Sequence, residues 1–284
     1  MRLRASLDVE EFSAAAQGFL DAAPASRNLL RGVVAVARRD PGAWAAPPGF
    51  WWIEDGGAVA GCAAWTPPFP LLVSTFPAEL AGELLAAAEE RARAIGRPLG
   101  HVFGPRAAAE CLAEAWARGR GGAWSVQMAE LLHECDAPVA PPAPPGAVRQ
   151  AGVDDLDHWH AWAMAFEAES GALAGGDEMR PIVERALREG RGFYWEDPPG
   201  TPVCMVGHAP PLPDLARVGP VYTPPALRGR GYARRLTYEV TRRLLDRGRD
   251  RCVLYTDAAN PVSNSIYRQV GYRPIEEHAV LRFG

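Results

Sequence analysis

The sequence predicts an α+β protein built as two small domains in tandem, the second complete and the first a degenerate copy of it. Three observations point there. A proline-rich run cuts the 284-residue chain nearly in half, the predicted helices and strands follow a similar order on either side of it, and one strand, turn and helix, Leu215 to Val240, organises the second half.

Taking the elements in order, Ser6 to Ala37 reads as helical, and Phe50 to Trp65 as a hairpin turning at Gly56-Gly57, since paired glycines supply the positive φ that a two-residue turn requires. Glu79 to Ile95 reads as a helix, Gly100 to Phe103 as a short strand, Ala107 to Arg118 as a second helix and Trp124 to His133 as a closing strand. Five prolines then fall between Ala137 and Gly146, and such a run favours an extended, semi-rigid spacer rising about 3.1 Å per residue. The expected division is therefore a first domain over 1–136, a linker over 137–146 and a second domain over 147–284. The second half continues with helices from Asp154 to Glu169 and Met179 to Glu189, a hairpin through Phe193 to Val206, the central strand and helix, a strand over Cys252 to Thr256, a helix over Val262 to Val270 and a strand over Ile275 to Phe283.

In the central stretch Leu215, Val218, Val221 and Tyr222 favour a strand, and Thr223-Pro224-Pro225 ends it. Ala233, Leu236, Val240 and Leu244 then recur at helical spacing, so a helix begins within Arg228-Gly229-Arg230-Gly231-Tyr232-Ala233. The two glycines permit a tight turn and leave no side chain in the way of a ligand. The first amides of the helix have no internal partner and sit at the positive end of its dipole, which makes the turn an anion site suited to phosphate. Pro220 cannot donate to a sheet ladder and implies an edge or a bulge. A bulge would free backbone groups of Gly219, Val221 and Thr223 to pair with an extended ligand that carries amides. A diphosphate at the turn and an amide-bearing arm along the strand describe coenzyme A.

Arg228, Gly231 and Ala233 match the arginine-or-glutamine, x, x, glycine, x, glycine-or-alanine signature of the GNAT superfamily of acyl-CoA-dependent N-acetyltransferases, and Thr256 to Tyr272, TDAANPVSNSIYRQVGY, resembles that superfamily's next strand and helix. The resemblance covers most of Val148 to Phe283. It implies, in each half, a mixed, mostly antiparallel sheet flanked by helices, with a splayed central strand in the second, and acetyl-CoA as cosubstrate. It also implies coenzyme contacts from Val221, Tyr222, Thr223, Arg228, Gly229, Arg230, Gly231, Tyr232, Ala233, Asn260 and Asn264, with Asn264 on the pantetheine arm and Tyr267 as general acid toward the sulfur. A nucleotide-binding loop would need Gly-Lys-Ser/Thr or a third spaced glycine, and neither is present. The first half has Ser74-Thr75-Phe76-Pro77-Ala78-Glu79 where the phosphate turn should be: no glycine, one amide lost to Pro77, and a repelling carboxylate. It is expected to be non-catalytic. Trp44, Trp51, Trp52 and Trp65 either line a cleft there or serve as core aromatics.

Acetyl transfer to an amine needs a neutral nucleophile, donors for an oxyanion, and a proton for the departing thiolate. Asn260 can cap the helix that starts at Pro261, which places Asn264 and Tyr267 on one face one turn apart. Backbone amides around Val221 and Tyr222 are the expected oxyanion donors. For the base Asp257 comes first, with helix capping as its competing role, and His208, Glu167 and Glu169 stay open. The acceptor is a primary amine of a small molecule or peptide, reached by direct transfer in a ternary complex; a protein lysine or N-terminus, or a regulatory protein that binds acyl-CoA without turnover, are the alternatives.

The composition sets bounds on this reading. Hydrophobic residues make up 48% and charged residues 23%, as in a globular chain with a core. A net charge of −4 and a pI near 5.9 leave no footprint for nucleic acid or an anionic membrane. Pro67, Pro68 and Pro70 interrupt the most apolar stretch, and the start lacks a signal-peptide core, so a cytoplasmic protein is expected. Cys62, Cys111, Cys135, Cys204 and Cys252 are scattered without zinc spacing, and His158 and His160 face different directions on a helix, so no metal is expected. A homodimer stays open.

Overall fold

The computed structural model describes residues 1–44, 46–171 and 179–284. In chain order the elements are β1 (Arg2–Ser6), α1 (Val9–Ala22), α2 (Asn28–Arg39), β2 (Gly49–Asp55), β3 (Ala58–Trp65), β4 (Leu71–Val73), α3 (Ala81–Ala94), β5 (His101–Pro105), α4 (Arg106–Arg120) and β6 (Trp124–Cys135). The second half contains β7 (Ala147–Gln150), α5 (Leu156–Ser170), α6 (Met179–Arg188), β8 (Gly192–Glu196), β9 (Pro202–His208), β10 (Leu215–Tyr222), α7 (Tyr232–Asp246), β11 (Arg251–Asp257), α8 (Pro261–Val270) and β12 (Arg273–Phe283). The chain forms two units, one of Met1–Glu130 with Glu276–Gly284 and one of Leu131–Ile275.

The first unit has strand order β1-β2-β3-β4-β5-β12. Its neighbours run antiparallel except β4 and β5, which are parallel through Leu71↔Val102 and Leu72↔Phe103. Burial on both faces explains the apolar composition of β2 and β3. Trp52, Cys62 and Ala64 pack on Phe12, Leu20 and Val34 of α1 and α2, while Trp51, Ala63 and Trp65 pack on Leu84, Ala88 and Leu112 of α3 and α4. The tryptophans are thus core: Trp51, Trp52 and Trp65 are buried, and Trp44 is packed partly against the first of these clusters.

The second unit has the order β7-β8-β9-β10-β11-β6, in which β7 to β10 run antiparallel and β10 and β11 are parallel. Strand for strand, β7 to β11 repeat β1 to β5. The sixth strand is exchanged in part: β6 neighbours β11 and its residues from Leu131 on belong to the second unit, while the last strand of the chain, β12, pairs with β5 of the first.

That exchange displaces the expected division into 1–136 and 147–284. Residues Glu276–Gly284 belong with the first unit because His278 to Arg282 pair with Pro105 to His101 and because Ala279, Leu281 and Phe283 lie in its core. The 137–146 run is not a free spacer either. It lies within the second unit, where the Val139 amide donates to the Val270 carbonyl at 2.8 Å, Trp195 Nε1 donates to the Pro145 carbonyl at 2.8 Å, and Arg235 reaches the Pro141 carbonyl. Prolines cannot donate, but their carbonyls accept, and side chains of the second unit use them to strap the run down.

Two further differences concern local signals. The stretch expected as one helix over Ser6 to Ala37 is a strand and two helices: β1 pairs with β2 through Leu3↔Ile53, Asp8 caps α1 by accepting from the Glu10 amide at 2.8 Å, and Ala23-Pro24 separates α1 from α2. The short strands β4 and β7 were not expected from the sequence, being three and four residues without clear alternation. Among the described residues no helix is long and apolar enough to cross a membrane.

Candidate active site

The site starts from an interruption in the second sheet. Strand β10 pairs with β11 at Leu215↔Arg251, Ala216↔Cys252 and Arg217↔Val253, and among the described residues the ladder ends there. On its other edge the register against β9 shifts between Val218 and Val221, at Gly219 with φ +138° and Pro220, which follows a cis peptide. A missing donor and a glycine-only conformation together make the bulge expected of Pro220. Beyond it, Val221 and Tyr222 still pair with β9 but no longer with β11, so a gap opens in the sheet.

The chain then turns through Pro225–Leu227 and enters α7. Gly229 and Gly231 hold φ of +79° and +85°, the left-handed region that side chains other than glycine resist. Gly231 is the N-cap and offers no side-chain acceptor, so the first amides of α7 face outward without a partner. A Cβ at Gly229 would meet nothing within 4 Å, and one at Gly231 only an Arg234 nitrogen at 3.8 Å. The helix terminus is therefore open as well as electropositive.

A cavity of about 800 Å³ joins these features. Val221, Tyr222 and Thr223 form one wall, the Arg228–Ala233 turn another, and Asn260, Ile266 and Tyr267 from the start and inner face of α8 a third. Phe166, Glu169 and Ser170, at the end of α5, close it. Arg228, Arg230 and Arg234 give it positive charge; Glu169 is the only carboxylate lining it among the described residues.

Tyr267 is buried among the core residues of the second unit, its ring 6.2 Å from that of Tyr272, and burial pushes its phenol well above the ordinary value. Such a phenol holds its proton at neutral pH, as a donor must. Asn260 lines the cavity, but its side chain caps α8, accepting from the Val262 and Ser263 amides at 3.1 Å each. Tyr232 lines it too, and its hydroxyl donates to Asp197 at 2.6 Å, anchoring the first turn of α7 to the β8–β9 loop.

Two residues expected at the site stand outside this cavity. Asn264 is buried beside it: its Oδ1 accepts from Thr256 Oγ1 at 2.6 Å and its Nδ2 donates to the carbonyls of Asp257 and Ala258 at 3.2 and 3.3 Å. Both ends of the amide are engaged, tying α8 to the end of β11 and the loop after it. Asp257 is exposed, and its Oδ1 accepts from the Ala259 amide at 2.9 Å. That is the capping-type turn which competed with the base role from the start, and it turns the carboxylate to the loop.

The same loop rests on a residue the sequence did not single out. His133, on β6, is fully buried, with Nε2 3.2 Å from Thr256 Oγ1. Since the Thr256 hydroxyl donates to Asn264, His133 Nε2 must be the donor in this pair. Burial, and then the nearby Arg268, push its pKa down to about 4.

Of the other bases considered, His208 is buried with its pKa pushed to about 4, chiefly by desolvation, and Glu167 is buried with its carboxyl pushed up by desolvation. Neither lines the cavity. Glu169 does. Its Oε1 accepts from the Tyr222 hydroxyl at 3.0 Å and its Oε2 from Arg228, whose Nε donates to the Thr223 carbonyl at 2.9 Å.

In the first unit the corresponding turn is shut. Phe76 lies so close over Gly61 that a Cβ there would fall 2.5 Å from its own Cβ. The Ser74 hydroxyl, accepting from the Cys62 amide at 2.9 Å, closes the β3 to β4 edge.

A mixed sheet flanked by helices recurs in the two units, and in the second it is split beside a bulged strand and faces a glycine-capped helix terminus. Comparison with known proteins agrees. Residues 206–281 match the family described as FR47-like protein. A mycothiol acetyltransferase of Catenulispora acidiphila is 31% identical over 154 residues, covering 48% of this chain and 47% of that protein, and one of Streptomyces scabiei is 29% identical over 165 residues, covering 55% and 52%. The chain thus spans about half the length of the curated relatives it matches. Among solved structures, a GCN5-related N-acetyltransferase from Sphaerobacter thermophilus superposes with a TM-score of 0.63 at 19% identity, over 99% of this chain and 95% of that one. A tandem GNAT protein from the clavulanic acid biosynthesis pathway gives 0.54 at 17% identity over 100% and 98%. Residues 206–281 thus carry the FR47-like match, and the chain as a whole shares the fold of these tandem and GCN5-related proteins.

Proposed function

We propose that the chain is a cytoplasmic acyltransferase whose second unit moves an acetyl group from acetyl-CoA to a primary amine of a small molecule by direct transfer in a ternary complex, the first unit being non-catalytic. The observation that carries this reading is the single cavity shared by the Gly231 helix terminus, the free edge of β10 and Tyr267. The α7 amides and the arginines of the turn bind the diphosphate. The β10 edge beyond Arg217 takes the amide-bearing arm as an added strand, and backbone amides near Val221 stabilise the oxyanion. The ammonium first loses a proton to water, the neutral amine attacks the acetyl carbonyl and sheds its second proton to water as the amide forms, the carbon–sulfur bond breaks, and Tyr267 gives its proton to the leaving sulfur and regains one from solvent. The relatives named mycothiol acetyltransferase favour a small-molecule acceptor over a protein one.

A calorimetric titration of acetyl-CoA into the whole chain, then thiol release with a panel of primary amines, tests this. One site per chain and amine-dependent release are expected. Tight binding with no release from any amine would replace the enzyme by a regulatory acyl-CoA-binding protein.

A further inference from the structure

Resting on that reading, we infer that Glu169 is the counter-ion for the acceptor's ammonium group, and that Arg228 covers it until the coenzyme diphosphate draws the guanidinium away. The cavity is lined by three arginines and, among the described residues, one carboxylate. A primary amine arrives mostly as a cation, because its ordinary pKa lies near 10.4. Entering beside three guanidinium groups, it is repelled unless a carboxylate compensates, and Glu169 is the one on hand.

In the structure that carboxylate is already engaged. Arg228 donates to Oε2 and Tyr222 to Oε1, and of the two only Arg228 is a cation. The Glu169–Arg228 pair is largely exposed, with side chains 42% and 49% accessible, so it holds only weakly. Arg228 also belongs to the turn that presents the α7 amides, the anion site of the cavity. A diphosphate there carries more charge than a single carboxylate and takes a guanidinium in bidentate fashion, so it outcompetes Glu169 for Arg228. Its departure leaves Glu169 ionised, still oriented by the Tyr222 hydroxyl, and without a cation. The acceptor's ammonium group supplies one. The inferred acceptor is therefore a cationic primary amine, and coenzyme binding creates its subsite instead of merely preceding it.

The test uses the whole chain, with CoA as the nucleotide probe and benzylammonium as the amine probe, benzyl alcohol being the uncharged control. Calorimetry should show CoA binding about three- to tenfold tighter to Glu169→Gln than to the wild type, with that gain absent when Arg228→Gln is also present. A gain that persists without Arg228 would come from the carboxylate's field on the phosphates and would overturn the inference, as would no gain. Benzylammonium should bind CoA-loaded wild type at least tenfold more tightly than the free protein. Glu169→Gln should abolish that difference, and benzyl alcohol should show none. Equal benzylammonium binding with and without CoA, or in wild type and Glu169→Gln, overturns the subsite. A wild type that binds no CoA at all would instead remove the acyltransferase reading; binding of CoA without these differences removes only the role of Glu169.

Discussion

Arg217 is the last residue of β10 to pair with β11, opposite Val253, and past that rung the two strands part. The bulge at Gly219–Pro220 shifts β10 against β9 over the same residues, so the strand is rebuilt on one edge and released on the other. Backbone polar groups without a sheet partner are costly when buried and useful when a ligand completes them. The sheet defect is therefore what turns a structural strand into a binding edge.

Tyr267→Phe separates the chemical from the packing role of this ring. Phenylalanine retains the contacts within the core cluster around Tyr272, so stability and acetyl-CoA affinity should be close to wild type. Turnover, measured as thiol release, should fall by about a hundredfold or more, the usual worth of a positioned proton donor. Unchanged turnover would remove Tyr267 from the mechanism.

Gly231→Ala tests the turn. At φ +85° an alanine costs about 1–2 kcal/mol, and relief of that strain moves the amides that face the anion. We expect CoA affinity to drop about tenfold, the equivalent of about 1.4 kcal/mol. Gly32→Ala is the counterexample: Gly32 lies inside α2 with nothing within 4 Å of the added carbon, and stability should rise by about 0.5–1 kcal/mol. Thermal unfolding and calorimetry read both outcomes.

Local signals carried most of the fold and part of the site. The Gly56-Gly57 hairpin, the helix after Gly231 and the Asn260-Pro261 cap are each fixed by residues within a few positions of one another, and all three are where the sequence places them. The exchange of β6 and β12 was not legible, because Ile275 to Phe283 reads as an apolar strand wherever it pairs, and the partner is decided by β5, more than 170 residues upstream in sequence. The same limit governs the site. Asn264 and Asp257 stand beside the right helix, yet whether an amide or a carboxylate faces a ligand or its own loop depends on Thr256 and His133, which no spacing rule connects. Glu169 stood among several candidate bases, and only the cavity distinguishes it from Glu167 two residues away.

The strand exchange predicts that a change at the very end of the chain damages the first unit. Leu281 is fully buried in the cluster of α3 and α4 and sits opposite Val102 of β5. Leu281→Ala should cost about 2–5 kcal/mol, and the amides of β5 should lose hydrogen-exchange protection before those of β10 and β11. Equal loss in both sets would contradict the assignment of β12 to the first unit.

His133 links the site's supporting loop to pH. In the fold it is neutral, donating from Nε2 to Thr256, with its pKa pushed to about 4 by burial and then by Arg268, whereas in the unfolded chain it titrates near 6.5. The unfolded state thus binds the proton first as pH falls. The contribution of His133 to stability is complete above about pH 6.5 and is lost progressively down to about pH 4, amounting to at most about 3 kcal/mol. His208, pushed to about 4 mainly by its own burial, adds a loss of the same sign in the same window. Carboxylates held low by arginines, such as Asp155 beside Arg149, lose their contribution at more acid pH. His133→Gln keeps a donor for Thr256 but cannot titrate. Urea unfolding of the second unit between pH 7 and pH 4 should therefore show a shallower loss of stability in this variant, with His208 and the likewise lowered His158 supplying what remains and Glu167, pushed up by burial, opposing it. A slope identical to wild type would mean that the fold does not lower the pKa of His133, and the account of it as a buried neutral donor to Thr256 would fall.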